Sequence, residues 1–166
     1  ALKKHQVNAD INIARYVLTL STLTGQLKTA KEAFGYYQKL DVDSCTYTQF
    51  SPIFECLSSL YPEQQGIPAI KPDLLGEALL GKVLTSSSSI APSLLSVVLS
   101  KATPQSYRKH ALTVITRISA YNSNIDRIVE HALTENLSIL VNDINDVALK
   151  TKGNLVVFTI KAFHAQ

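Results

Sequence analysis

The chain has 166 residues, 46% apolar and 17% charged, with a net charge of +3 and only six Gly and six Pro. That is enough apolar residue for a buried core and too little charge for a disordered chain. No apolar run reaches the roughly 18 to 20 residues that cross a bilayer, and no N-terminal stretch has the order of a secretory signal, so a cytoplasmic chain with no membrane attachment is expected.

The hydrophobic period is helical almost throughout. A first helix is predicted from about Asp10 to Leu23, with Ile13, Val17 and Leu20 on one face and Gly25 as its stop. A second runs from about Leu27 to Leu40, with Ala30, Phe34 and Tyr37 at helical spacing. Residues 41–46 read as a loop. A third helix, from about Thr48 to Leu60, is expected to bury Phe50, Ile53, Phe54 and Leu57, with Pro52 in its first turn. Three prolines and Gly66 between Tyr61 and Pro72 exclude helix there, and a two-stranded ribbon turning near Gln65 and Gly66 fits the stretch.

Asp73 then caps a helix reaching about Leu84, with Leu75, Leu79 and Leu80 facing inward. Ser86 to Ser89 reads as a linker and sets a boundary between residues 1–85 and 86–166. Beyond it, helices are predicted at 92–101, 104–121, 124–134, 136–150 and 153–164. In the second of these, Tyr107, Ala111, Val114, Ile118 and Tyr121 form a stripe expected to be buried. Short loops between such helices make antiparallel hairpins. Stacked hairpins are the grammar of tetratricopeptide-like (TPR-like) solenoids, although the tetratricopeptide consensus itself is missing. The predicted core comprises Val17, Leu20, Phe34, Phe54 and Leu57 with Leu75 and Leu79 against them, then Ala111, Val114, Ile118, Leu133, Leu140 and Ile144.

Charge is unevenly laid out. Residues 1–39 carry +4, residues 40–70 carry −4 with no Lys or Arg, and residues 71–166 carry +3. The pairs Lys3-Lys4 and Arg108-Lys109 read as solvated surface. Cys45 and Cys56 are the only cysteines, too few for a disulfide framework or a four-thiolate zinc site. The chain starts at Ala1 and has no Met, as expected of a piece of a longer protein.

Little in the sequence points to catalysis. Residues 76–83 match the first seven positions of a phosphate-binding loop, but Val83 stands where a Ser or Thr must hold Mg²⁺, and the stretch reads as amphipathic helix rather than strand and loop. The histidines His5, His110, His131 and His164 lie far apart and read as helix-surface residues. Asp143 and Asp146 sit one turn apart on what is expected to be a solvated face. No cofactor, metal or catalytic residue is assigned, and the chain is not expected to be an enzyme by itself.

Residues 14–25, followed by Thr29 to Ala33, resemble the first two helices of the winged-helix domain in STAND-type NTPases, the large signal-transduction ATPases. The segment Ile70 to Glu77, with Pro72, Asp73, Gly76 and Glu77, resembles the place where that wing returns into a helix and leads into helical repeats. Residues 146–155 similarly resemble one helix-turn-helix step of such repeats. The resemblance implies a mainly α fold: a winged-helix-like N-terminal half with a minimal β-ribbon, followed by antiparallel helical hairpins. It implies a non-catalytic regulatory and protein-interaction segment, relaying between an upstream nucleotide domain and sensor repeats. In some relatives a winged-helix histidine touches the nucleotide, but this chain has no His between His5 and His110, so no such role is carried over.

A winged helix also suggests a DNA-binding transcription regulator, with the third helix in the major groove. Phosphate contact needs cations. The stretch that would supply them has none, and only Gln49 in that helix suits a base edge. Nucleic acid is therefore the weaker expectation and protein the stronger. Interface energy concentrates in Tyr and Arg anchors. Tyr36, Tyr47 and the acidic loop with Asp41 and Asp43 are accordingly the predicted partner-binding surface, docking on an upstream domain.

Overall fold

The computed structural model describes residues 2–71, 73–86 and 90–151. Its elements run α1 (Leu2–Thr24), β1 (Gln26–Leu27), α2 (Ala30–Tyr37), α3 (Tyr47–Ser58), β2 (Ile67–Pro68), α4 (Asp73–Ser86), α5 (Ile90–Leu99), α6 (Gln105–Ser119), a 3₁₀ turn (Ser123–Ile125) and α7 (Asp126–Thr151). The mainly helical class with one minimal ribbon is as the sequence predicts. Among the described residues, no helix is long and apolar enough to cross a membrane.

Helix α1 is the centre of the molecule. It packs against α2, α3, α4, α5 and α6 and against both strands, so its last turns are buried on every side. Thr19, Ser21, Thr22 and Thr24 are all buried there. Their hydroxyls donate back along the helix, Thr19 and Thr24 to the Arg15 and Leu20 carbonyls at 2.8 Å. Ser21 and Thr22 both donate to the Leu18 carbonyl, at 2.9 and 2.8 Å. Short hydroxyls that satisfy themselves this way let a polar run enter a core without orphaned groups. Gly25 ends the helix at φ +83°, the left-handed position that favours glycine.

The ribbon differs from the sequence expectation. Strand β2 does not fold back on residues 60–66. It pairs antiparallel with β1, Gln26 opposite Pro68 and Leu27 opposite Ile67. Gln65 and Gly66 remain a turn, and Gln26 ties to it by donating from Nε2 to the Gln65 carbonyl at 2.7 Å. Because residues 26 and 27 are strand, α2 starts at Ala30 rather than 27, with Thr29 as its cap. Helix α3 begins with a capping box of Thr46 and Gln49. Pro52 is its sixth residue, not in its first turn, and its side is exposed.

Helix α4 turns Leu80 inward as predicted and Leu79 partly so, but not Leu75. Gly76, Glu77, Leu80, Gly81, Val83 and Leu84 are buried, Leu79 is partly buried, and Leu75 is 59% exposed. The buried face combines Leu80 and Leu84 with Gly76 and Gly81, and Gly76 is where α4 approaches α1 closely. A Cβ on Gly76 would sit 3.0 Å from Thr22 Cγ2 and 3.2 Å from the Ile70 carbonyl oxygen.

In the second half, the two helices predicted at 124–134 and 136–150 are the single helix α7. No Gly or Pro interrupts residues 126–151, and the stripe Leu133, Leu137, Leu140, Ile144 and Val147 is buried without a break. Early α6 meets late α7 through Arg108 and Asp143 while a short turn joins their other ends, so the pair is an antiparallel hairpin. Tyr121 lies beyond the end of α6, 60% exposed rather than on the buried stripe. The helix predicted at 153–164 falls outside the described residues, as does most of the proposed helix-turn-helix step at 146–155.

The predicted core is otherwise well placed. Val17, Leu20, Phe54, Ala111, Val114, Ile118, Leu133, Leu140 and Ile144 are buried, and Phe34 and Leu57 are partly so. That core is continuous across residues 86–90. Helix α1 packs on α6 as well as on α3, and one cluster of buried side chains spans both halves.

Candidate functional site

The four predicted partner residues do not gather on one face. Tyr47, 43% exposed, lays its ring edge-on to Phe34, with centroids 5.3 Å apart, on the α2–α3 side. Tyr36 is half-buried on the other side of α2, where its hydroxyl bonds Thr103 in the α5–α6 loop and burial pushes its pKa up. Residues two apart on a helix point about 200° apart, and Phe34 and Tyr36 follow that rule. Asp41 and Asp43 are exposed, yet their loop faces α1 and α5 rather than either tyrosine. The Asp41 backbone N–H donates to Ser93 Oγ at 3.1 Å. The Tyr37 hydroxyl donates to the Asp43 carbonyl at 3.2 Å. The acidic loop is thus grouped with Tyr37, the neighbour of the residue predicted.

A second polar constellation sits where the two halves meet, and it involves Asp73 and Glu77 of the segment that resembles the wing-to-repeat passage. Glu77 is only 4% exposed. Arg117 of α6 pairs with it at 2.5 Å and with Asp73 at 3.0 Å. Tyr121 donates its hydroxyl to the other Glu77 oxygen at 3.2 Å. Beside them, His110 Nε2 lies 3.2 Å from the Thr22 carbonyl oxygen; that oxygen only accepts, so the proton is on Nε2. The ring also packs against Gly25, where an added Cβ would come within 3.2 Å of it. Burial lowers the His110 pKa, with a smaller push from Arg117, while the Thr22 carbonyl and Asp73 act in the opposite direction.

Sequence reading missed this joint, although a signal existed. Glu77, Leu80 and Leu84 lie at i, i+3 and i+7, a stripe that places the carboxylate among buried leucines. His110 is accordingly no surface histidine. His131 is one, 63% exposed by side chain and 3.4 Å from Glu135, while His164 is not among the described residues. Arg108 and Asp143 also depart from the solvated faces expected of them. Their side chains are 12% and 1% exposed and pair at 2.7 Å. Gln105 donates to the other Asp143 oxygen at 2.7 Å, and Arg108 also donates to the Thr103 carbonyl at 2.6 Å. Asp146 stays at the surface with Lys109.

Glu77 and Asp143, the two buried carboxylates of these clusters, are each paired with a guanidinium. Among the described residues no three His, Cys, Asp or Glu side chains are grouped to hold a metal ion. Residues 76–83 lie wholly within α4, so their backbone amides are engaged in helix rather than free to wrap a phosphate. Compared with known proteins, the chain matches no protein-family model, no curated protein and no solved structure.

Proposed function

We propose that the chain is a non-catalytic regulatory and protein-interaction segment of a larger STAND-like NTPase, relaying between its nucleotide domain and its sensor repeats. Residues 1–85 would be the winged-helix-like part and 86–166 the beginning of a TPR-like helical-repeat segment. The order helix, strand, helix, helix, strand, helix, with β1 pairing to β2, is compatible with a winged helix that has a shortened wing. The observation that carries the reading is the joint. The segment whose sequence resembles the wing-to-repeat passage is also where Gly76 presses on α1 and Glu77 is clamped by Arg117 of α6. A relay must pass movement from one half to the other, and rigid-body displacement needs such a packed, ion-paired joint.

The alternative, a winged-helix DNA-binding transcription regulator, is disfavoured by two features of α3. Glu55 is the only charged residue in it. Gln49, its one base-reading candidate, already accepts from the Thr46 backbone N–H at 2.9 Å. Two measurements test the proposal. The coding sequence upstream of Ala1 is expected to encode a phosphate-binding loop followed by Walker B acids, and its absence would reject the STAND assignment. Titration with duplex DNA at low salt is expected to show no binding tighter than the non-specific range of about 10⁻⁴ to 10⁻⁶ M. Tighter binding with a steep salt slope would favour the regulator.

A further inference from the structure

Behind the acidic loop is a cavity of about 260 Å³. It is lined by Asn12, Ile13 and Tyr16 of α1, Tyr37 of α2, residues 41–45 and Ile90 of α5. The two rings stand with centroids 6.4 Å apart and planes tilted by 51°. The Tyr37 hydroxyl is committed to the Asp43 carbonyl. The Tyr16 hydroxyl is not: the side chain is only 9% exposed, yet among the described residues the hydroxyl has no hydrogen-bond partner. It lines the cavity together with Asp43; burial raises its pKa, Arg15 works against that, and Asp43 adds a smaller push upward. The oxygen is not sealed from solvent and opens into the cavity, where a ligand atom can reach it.

The charge of the lining is one-sided. Asp41 and Asp43 are exposed at the rim, outside any ion pair among the described residues, and no Lys or Arg lines the cavity. Arg15, next to Tyr16, is exposed and acts on the Tyr16 hydroxyl, but is not part of the lining. Two aromatic faces beside two carboxylates select an organic cation. The volume falls below the roughly 300 to 1,000 Å³ of small-molecule sites, which suits one side chain rather than a cofactor. A guanidinium fits best, because it is planar, stacks on aromatic rings and forks to carboxylates.

We propose that the cavity bounded by Tyr16, Tyr37, Asp41 and Asp43 is a docking site for an arginine side chain of a partner protein. The proposal rests on reading the chain as a protein-docking segment. Its test uses the isolated chain and a small probe, so it succeeds or fails whatever lies upstream of Ala1.

Cys45 lines the cavity, while Cys56 is exposed on α3 outside it, so the chain carries its own reference thiol. Iodoacetamide labelling of both thiols is followed by peptide mapping at about pH 9, because burial raises the Cys45 pKa. The probe is N-acetyl-arginine methylamide, with its uncharged citrulline counterpart as control. Isolated side-chain contacts reach millimolar affinity, so about 10 mM probe should slow Cys45 labelling roughly tenfold and leave Cys56 unchanged. The double variant Asp41→Asn and Asp43→Asn, both at exposed positions, should abolish the protection. Backbone amide shifts of residues 41–45 in the same titration give a readout independent of thiol reactivity. Equal protection by citrulline, stronger protection by the matching lysine derivative, or no change in either readout would each overturn the arginine assignment.

Discussion

Arg117 reaches two carboxylates from an exposed position on α6, and the one it matters to most is Glu77. A carboxylate 4% exposed keeps its charge cheaply only while a cation and hydrogen-bond donors face it. Arg117→Ala removes the cation and leaves the Tyr121 hydroxyl, just past the end of α6, as the remaining donor shown to Glu77. The Arg117 side chain is 43% exposed, so screening discounts the pair, and the loss of stability should be about 1 to 3 kcal/mol. Urea unfolding measures it, and Glu77→Gln combined with Arg117→Ala should recover part of the loss. An Arg117→Ala midpoint equal to that of the parent chain would show that Glu77 is solvated and the joint is not clamped.

His110, beside this pair, gives the joint a pH dependence with a defined sign. Its folded pKa is lowered from 6.5, so below that pH the unfolded chain takes up a proton that the folded chain refuses. Stability attributable to this residue is therefore intact above 6.5, falls as pH drops through the window down to the lowered value, and then levels off. The groups facing it are Arg117 and Asp73. Subtracting the pH profile of His110→Gln from that of the unaltered chain isolates the effect from the carboxylates. A difference that does not change between pH 7.5 and 5 would place the ring in water. None of this was legible from spacing alone. His110 has no partner near it in sequence, and its acceptor, the Thr22 carbonyl, lies 88 residues away.

Elements with local causes were readable and those with distant causes were not. Gly25 and Thr46 act within a few residues of themselves, and the helix ends they set were close to expectation, whereas the start of α2 at Thr29 was displaced by β1. The ribbon was placed by its prolines but given the wrong partner, because β1 is two residues long and carries no pattern of its own. On α4 Leu80 was placed correctly and Leu75 was not, because leucine size was weighed above close approach, and Glu77 has an unremarkable charge until Arg117 is placed beside it. In the acidic loop, residue type pointed to Asp41 and Asp43, while helix phase decided that Tyr37 rather than Tyr36 stands beside them.

Two glycines test this division between local and distant causes at the scale of the element. Gly66 is at φ +78°, and a Cβ there would overlap the Leu27 carbonyl oxygen of the paired strand. Gly66→Ala should destabilise by roughly 2 to 3 kcal/mol through strain and displacement of β1. Gly35, within α2, would meet nothing within 4 Å, and Gly35→Ala should stabilise by about 0.5 to 1 kcal/mol. Chemical denaturation of both variants measures the pair of signs, and a loss at Gly35 would mean that α2 is not helical there.

At the scale of the whole molecule, the serine-rich stretch at 86–89 and the continuity of the core make opposite claims about cooperativity. If α1 belonged to the first half alone, the α5–α7 hairpins would open without it. Instead α1 packs on α6 and on α3 alike, and Leu20 is fully buried within the shared cluster. Leu20→Ala removes apolar contacts and leaves a cavity at a cost of about 2 to 5 kcal/mol. Native-state amide exchange reads where that cost is felt. In one cooperative unit, the opening free energy should fall by the same amount at Phe54 in α3, at Ile115 in α6 and at Leu140 in α7. Were the halves independent, Phe54 would lose the full amount while Leu140 kept its protection. That result would break the mechanical link on which a relay through the Glu77–Arg117 joint depends, since a hairpin that opens without α1 cannot be displaced by it.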